Sequence, residues 1–185
     1  IAQQAANRGA DVLLISGPSA LPVPYGVHFE AVRSAEEMFA AVQQAYTHAD
    51  VVIKAAAVAD YRPKQQFAQK VKKTDGDWML VLERNPDILA WLGEHKEKQI
   101  LVGFAAETEQ VQENALKKLR KKHLDLIAAN DLTEQHSGFG KDTNQITMYD
   151  ADGTVNRLPI LSKEQVADRL LDCVLQKYQQ QNSKK

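Results

Sequence analysis

The chain has 185 residues, of which 44% are hydrophobic and 25% charged, and its net charge is −1. That is the length and composition of one globular domain with a sizeable core, and wholesale disorder is excluded. The near-neutral balance gives no support to a blanket attraction to nucleic acid or membrane, and no apolar run nears the ~20 residues of a membrane span.

Residues 1–8 read as the later turns of a helix, stopped at Gly9. The strand and loop that would feed this helix are missing, so the chain reads as a fragment. Its first residues, IAQQAANRGAD, are too polar for a signal peptide. Residues 11–16 (DVLLIS) suit a buried parallel strand, and 17–24 (GPSALPVP) form a loop. A short strand at 28–32 follows. Ser34 with Glu37 then fits a capping box, with Met38, Phe39, Val42 and Ala45 at helical spacing.

The next strand is 51–57 (VVIKAAA), followed by a loop from Asp60 to Gln69. Residues 70–85 read as a hairpin, KVKK and WMLVLE joined through Asp75-Gly76. Asn85 with Pro86 starts a helix running to about His95. A strand at 100–106, a helix at 108–123 and a strand at 124–129 come next. A loop containing GFGKDTN leads to a second hairpin, 145–150 and 154–161, across Asp152-Gly153. Ser162 with Gln165 caps a last helix to about Tyr178. Strands alternating with helices predict an α/β fold with a mostly parallel, doubly wound sheet, helices on both faces, and the two hairpins added to it. Residues 1–180 read as a single domain and 181–185 as a frayed tail.

The lone Cys173 cannot form an internal disulfide, and it reads as a buried thiol on the last helix. A reducing, cytoplasmic setting is expected. The five histidines show no HExxH or other metal spacing, no metal ligands are singled out, and there is neither a GxSxG motif nor a P-loop.

In open parallel sheets ligands bind beyond the carboxyl ends of the strands. Here those ends carry Ser-Gly-Pro, Ala-Ala-Ala-Val-Ala-Asp-Tyr, Ala-Ala-Glu-Thr and Asn-Asp. Ala55 and Ala56 have no reactive group, so their use would be steric, leaving the backbone open to a flat base or a phosphate. Close strand–helix packing explains them equally. Asp60 offers a carboxylate to a base, a sugar or a hydrated metal, or is an ordinary loop cap. Lys70, Lys72 and Lys73 could neutralise part of a triphosphate, or mark a charged edge strand. Lys118 and Lys122 lie four apart on one helix face and would repel unless an anion sits between them, although a solvated basic helix end is the plainer reading. Asn85-Pro86-Asp87-Ile88 opens a helix whose N–H groups could hold polar ligand atoms.

Taken together, ISGPSALPVP (15–24), AAAVADYRP (55–63), KVKK (70–73), NPDIL (85–89), VGFAAET (102–108), LDLIAAND (124–131) and GFGKDTNQ (138–145) resemble the phosphopantothenoylcysteine synthetase family of coenzyme A biosynthesis. The segments stand in the family's order and cover most of the chain. The resemblance implies a Rossmann-like fold and a CTP- and Mg²⁺-dependent ligase, in which 4′-phosphopantothenate is activated as an acyl-cytidylate and captured by cysteine. It implies that Lys54, Ala55, Ala56, Asp60, Pro86, Asp87, Ile88, Leu89, Phe104, Lys118 and Lys122 surround the nucleotide. Lys70, on a flap that closes over the intermediate, would contact CTP and act in catalysis. It also implies a homodimer formed near the flap, and an upstream flavin-dependent decarboxylase that alone would use FMN. The family's N-terminal asparagine loop has no counterpart in this sequence, so the fragment is expected to be inactive by itself.

Two rivals remain. A short-chain reductase shares the small-residue strand end, but its Tyr-x-x-x-Lys pair fails, since Gln65 stands four residues after Tyr61. A non-catalytic nucleotide-binding subunit of the same fold would also carry these residues.

Overall fold

The computed structural model describes residues 1–65, 67–72, 75–133 and 142–183. The centre is a five-stranded sheet built from β3 (Val51–Lys54), β6 (Ile100–Glu107), β7 (Leu126–Asp131), β9 (Ile146–Asp150) and β10 (Val155–Arg157), in the order β10-β9-β7-β6-β3. β3, β6 and β7 are parallel, while β9 and β10 continue the sheet antiparallel. A separate parallel pair joins β1 (Leu13–Ser16) to β2 (His28–Ala31). The α/β architecture expected from the alternation of elements is therefore present, with helices on both faces.

The period of two along the strands divides the core. On one face Leu101, Ala105, Ile127, Ala129 and Tyr149 pack under α2 (Ala35–Tyr46), α3 (Ile88–Glu94) and α4 (Val111–Lys121). On the other, Ile100, Val102, Leu126, Ala128, Ile146 and Met148 meet Val166, Leu170 and Val174 of α5 (Lys163–Asn182). Nearly continuous apolar strands follow from burial on both faces. The first helix, α1 (Ala2–Asn7), is tied to α5 by Arg8, which reaches Asp168 at 2.9 Å and Asp172 at 2.8 Å.

Local signals account for most boundaries. Ser162 and Gln165 form the expected capping box at α5, and the helix then runs past Tyr178 to Asn182. At α2 only half of the expected box forms: Ser34 accepts from the Glu37 N–H, but the Glu37 carboxylate turns to the N–H of Arg33 at 2.6 Å. β3 stops at Lys54, three residues before the expected end.

The first hairpin differs from its expectation. No strand forms at residues 70–72 or 75–81. The pairing is instead β4 (Tyr61–Pro63) with β5 (Leu82–Arg84), antiparallel. Arg62 clamps this stem, bonding Glu83 at 2.8 Å, Glu36 of α2 at 2.6 Å and the Asn85 side-chain oxygen at 2.9 Å. Asn85 also donates to the Ala59 carbonyl, so it is a stem residue and not a helix cap. The cap of α3 is Asp87, which accepts from the Ala90 N–H at 2.9 Å. The second hairpin forms across the expected turn, with Gly153 at φ +95°, but its second strand stops at Arg157 instead of continuing to residue 161. Of the GFGKDTN loop, residues 138–141 lie outside the described residues, as does Lys73; Thr143 and Asn144 form β8, which pairs with β11 (Leu161–Ser162). Among the described residues no helix is long and apolar enough to cross a membrane.

Candidate functional site

The site grows from the early end of β3. Lys54, its last residue, stands opposite Gly103 of β6. The Ile100 N–H bonds Asp50 on the β3 side of β6, and alternation puts the Phe104 carbonyl on that same side, beyond the point where β3 could meet it. Lys118 of α4 fills the gap, its Nζ donating to that carbonyl at 2.8 Å. A half-buried acceptor left by the shortened strand thus fixes one ammonium at the carboxyl edge of the sheet.

Two close approaches set the second ammonium. Gly93 of α3 lies so near the end of α4 that a Cβ there would fall 2.1 Å from the Lys122 carbonyl oxygen. A Cβ on Gly103 would meet the Leu124 methyl at 2.7 Å and that of Leu89 at 3.2 Å. With no side chain at either position, the start of α3 and the end of α4 close over the strand, and Asp87 forms an ion pair with Lys122. Burial works against the Asp87 carboxylate. The Lys122 hydrogen bond, the Ala90 N–H and the charges of Lys122 and Lys54 outweigh it, and hold its pKa below the usual aspartate value.

Lys54 is half-buried among these groups. Burial first, and then the charge of Lys118, pushes its amine below the usual lysine value; Asp87 and Asp60 pull the other way, and Lys122 adds to the lowering. Lys54, Asp60, Asp87, Lys118 and Lys122 therefore form one electrostatic cluster, with three cations against two carboxylates. Ala55 and Ala56 are exposed beside it.

Other sequence-predicted residues are placed differently. Ile88 and Leu89 are buried in the core, so only their backbone is available to a ligand. The Ala90 N–H at the start of α3 is taken by the Asp87 carboxylate, and Pro86 is half-buried before it. The Phe104 ring packs on the α5 face, opposite to the lysines, and only its carbonyl belongs to the cluster. Lys70 lies in the exposed stretch between β4 and β5 and forms no hydrogen bond or ion pair with the cluster. Gly93 and Gly103 were not singled out by sequence reasoning; their role depends on which helix crosses which strand. Among the described residues no group of three or more His, Cys, Asp or Glu side chains is arranged to hold a metal.

An α/β sheet with a lysine cluster at the carboxyl ends of β3 and β6 has many relatives, and comparison narrows the choice. The chain belongs to the DNA/pantothenate metabolism flavoprotein C-terminal domain family, which residues 1–178 match. It is 50% identical over 172 residues to the Coenzyme A biosynthesis bifunctional protein CoaBC of Bacillus subtilis (strain 168), a match covering 92% of this chain and 42% of that protein. The chain thus spans less than half the length of that relative. The crystal structure of the C-terminal domain of a Coenzyme A biosynthesis bifunctional protein CoaBC superposes with a TM-score of 0.82 at 45% identity, over 97% of this chain and 80% of that one. A Cab2 mutant in complex with phosphopantothenate-cysteine shares the fold, with a TM-score of 0.65 at 16% identity over 85% of this chain and 55% of that one.

Proposed function

We propose that this domain is the ligase part of a coenzyme A biosynthesis protein, joining 4′-phosphopantothenate to cysteine with CTP. The observation that carries the reading is the convergence of Lys54, Asp60, Asp87, Lys118 and Lys122 at the carboxyl edge of β3 and β6, in a chain of this family. Attack by a carboxylate on a triphosphate meets charge repulsion, and fixed ammoniums reduce it. In the proposed sequence, a 4′-phosphopantothenate carboxylate oxygen bonds the α-phosphorus of CTP as the bond to pyrophosphate breaks. The cysteine amine then attacks the acyl carbon, CMP leaves with the bonding pair of the C–O bond, and the amine proton passes to solvent.

Lys118 and Lys122 would hold the phosphates, while Ala55, Ala56 and the backbone of residues 86–89 line the nucleotide. The Phe104 backbone borders it and Asp60 accepts from it. Lys70 would act when the arm carrying it closes. Mg²⁺ fits as a counter-ion brought by the triphosphate, with Asp60 the carboxylate available to it, and would supply further charge neutralisation. The arm exposes Trp78, Met79, Leu80, Val81 and Leu82 in one run, which supports a homodimer formed there. Fusion to a decarboxylase domain, which alone would use FMN, and a cytoplasmic setting complete the proposal.

The test is pyrophosphate release by the intact protein given CTP, Mg²⁺, 4′-phosphopantothenate and cysteine, with the amide product followed by mass. Absence of both products would remove the ligase reading.

A further inference from the structure

Three ammoniums share the cluster, and two of them are already engaged: Lys118 holds the Phe104 carbonyl and Lys122 holds Asp87. Among the described residues, Lys54 is the one of the three with no hydrogen bond or ion pair to protein. Its placement is set by the sheet. Val52 packs on the face covered by α2, α3 and α4, while Val51 and Ile53 face α5. Alternation therefore puts Lys54 on the Val52 face, the one that also carries Lys118, Lys122 and Asp87. β3 ends with Lys54, which is half-buried, and the exposed Ala55 and Ala56 come next in the chain.

We propose that the Lys54 ammonium is a direct ligand of the nucleotide polyphosphate, and that it makes nucleotide binding proton-linked. This rests on the reading of the lysine cluster as a nucleotide site and adds to it a side-chain contact and a form of regulation. The charged groups around Lys54 are Lys118 and Lys122 on α4, Asp87 on α3 and Asp60 in the loop after β3. Without ligand, burial and the two neighbouring cations disfavour its charged form more than the two carboxylates favour it. A polyphosphate between the three lysines reverses the balance. The amine is then charged in the complex at pH values where part of it is neutral in the free protein.

Binding must take up a proton in that window, and affinity must fall as pH rises through it, by at most about tenfold per pH unit for one proton. Phosphate itself titrates near pH 6, and Lys54→Arg keeps that linkage while removing the one from Lys54, so the two are separable. The intrinsic phosphate contact also predicts that Lys54 serves the phosphates and not the base.

The experiment is calorimetry of CTP and of inorganic triphosphate, each with Mg²⁺, binding to the intact protein between pH 7 and 10, in pairs of buffers with different ionisation heats. The wild type is expected to bind both probes and take up a fraction of a proton at alkaline pH. Lys54→Met should weaken both by about tenfold, as expected for a lost charge-assisted contact, and should lose that proton uptake. Lys54→Arg should keep affinity at pH 7 while losing the uptake, because arginine stays charged. Wild-type affinity and uptake in Lys54→Met would overturn the proposal while leaving the nucleotide site standing. Weakening of CTP alone, with triphosphate unaffected, would overturn the phosphate contact. A wild type that binds neither probe would overturn the nucleotide reading itself, and the proposal with it. If Lys54→Met does not fold, Lys54→Arg decides: unchanged proton uptake in that variant overturns the proposal.

Discussion

Lys118 Nζ lies 2.8 Å from the Phe104 carbonyl oxygen, on the side of β6 that β3 stops short of covering. One side chain therefore has two tasks, completing the sheet's hydrogen bonding and presenting a positive charge at its edge. Lys118→Met should lower stability by about 1 kcal/mol through the unpaired carbonyl, and should also raise the CTP concentration needed for half-maximal activity. Denaturant unfolding and steady-state kinetics measure the two effects separately. A stable variant with unaltered kinetics would remove Lys118 from both roles.

Gly93→Ala places a methyl group where the Lys122 carbonyl stands. Backbone sits on both sides of this contact, so neither can yield by a rotamer change. Stability should fall by about 1–3 kcal/mol, or roughly 2–4 °C of melting temperature per kcal/mol in a domain of this size. Nucleotide affinity should fall as well, since the displaced helix end carries Lys122. Calorimetric melting with and without CTP tests this, and an unchanged melting point would contradict the close approach.

Asp87 contributes to stability in a defined pH range. Its folded pKa is depressed, so its contribution is present above the unfolded value near 3.9 and is lost as pH falls through the folded value. Asp87→Asn keeps a capping side chain for the Ala90 N–H but removes the charge. Its urea midpoint should change less than the wild type's between pH 5 and pH 2. Asp87→Ala loses the cap as well, at a further cost of about 1 kcal/mol. Identical acid limbs in wild type and Asp87→Asn would show that another carboxylate dominates.

Lys70 is tied to none of the cluster residues, and its proposed role begins only when the arm closes. Lys70→Gln is therefore expected to melt with the wild type while turnover falls by about 10²–10³, as for loss of a group acting on transition-state charge. Pyrophosphate release and a thermal melt give both readings. Wild-type turnover would remove Lys70 from the mechanism.

The main strands and helices were legible in the sequence because their signals are local. DVLLIS, VVIK and ILVGFAA are apolar runs between turn residues, and the Ser162/Gln165 pair marks its helix start directly. Non-local choices were not legible. The Asp75-Gly76 turn signal pointed to a pairing between its own flanks, but Leu82–Arg84 pairs with Tyr61–Pro63, a choice reinforced by the Arg62 clamp. That clamp also draws Asn85 away from the helix, leaving Asp87 to cap it. Within the site, the lysine pair and Asp60 were read from spacing and motif. The side of the sheet taken by the Phe104 ring depends on strand parity relative to helices far off in sequence. The need for glycine at 93 and 103 depends on crossings that no periodicity reveals.

The division of the core between two faces has a practical consequence. The charged cluster's side chains stand on the α2–α3–α4 face, while Ile146, Met148, Leu170 and Val174 meet on the other side of the sheet. The sheet is a partition between a layer that handles charge and a layer that supplies only cohesion. Repacking the α5 layer with side chains of matched volume offers a route to heat resistance that leaves the clustered lysines undisturbed, whereas Gly93 and Gly103 admit almost no such freedom.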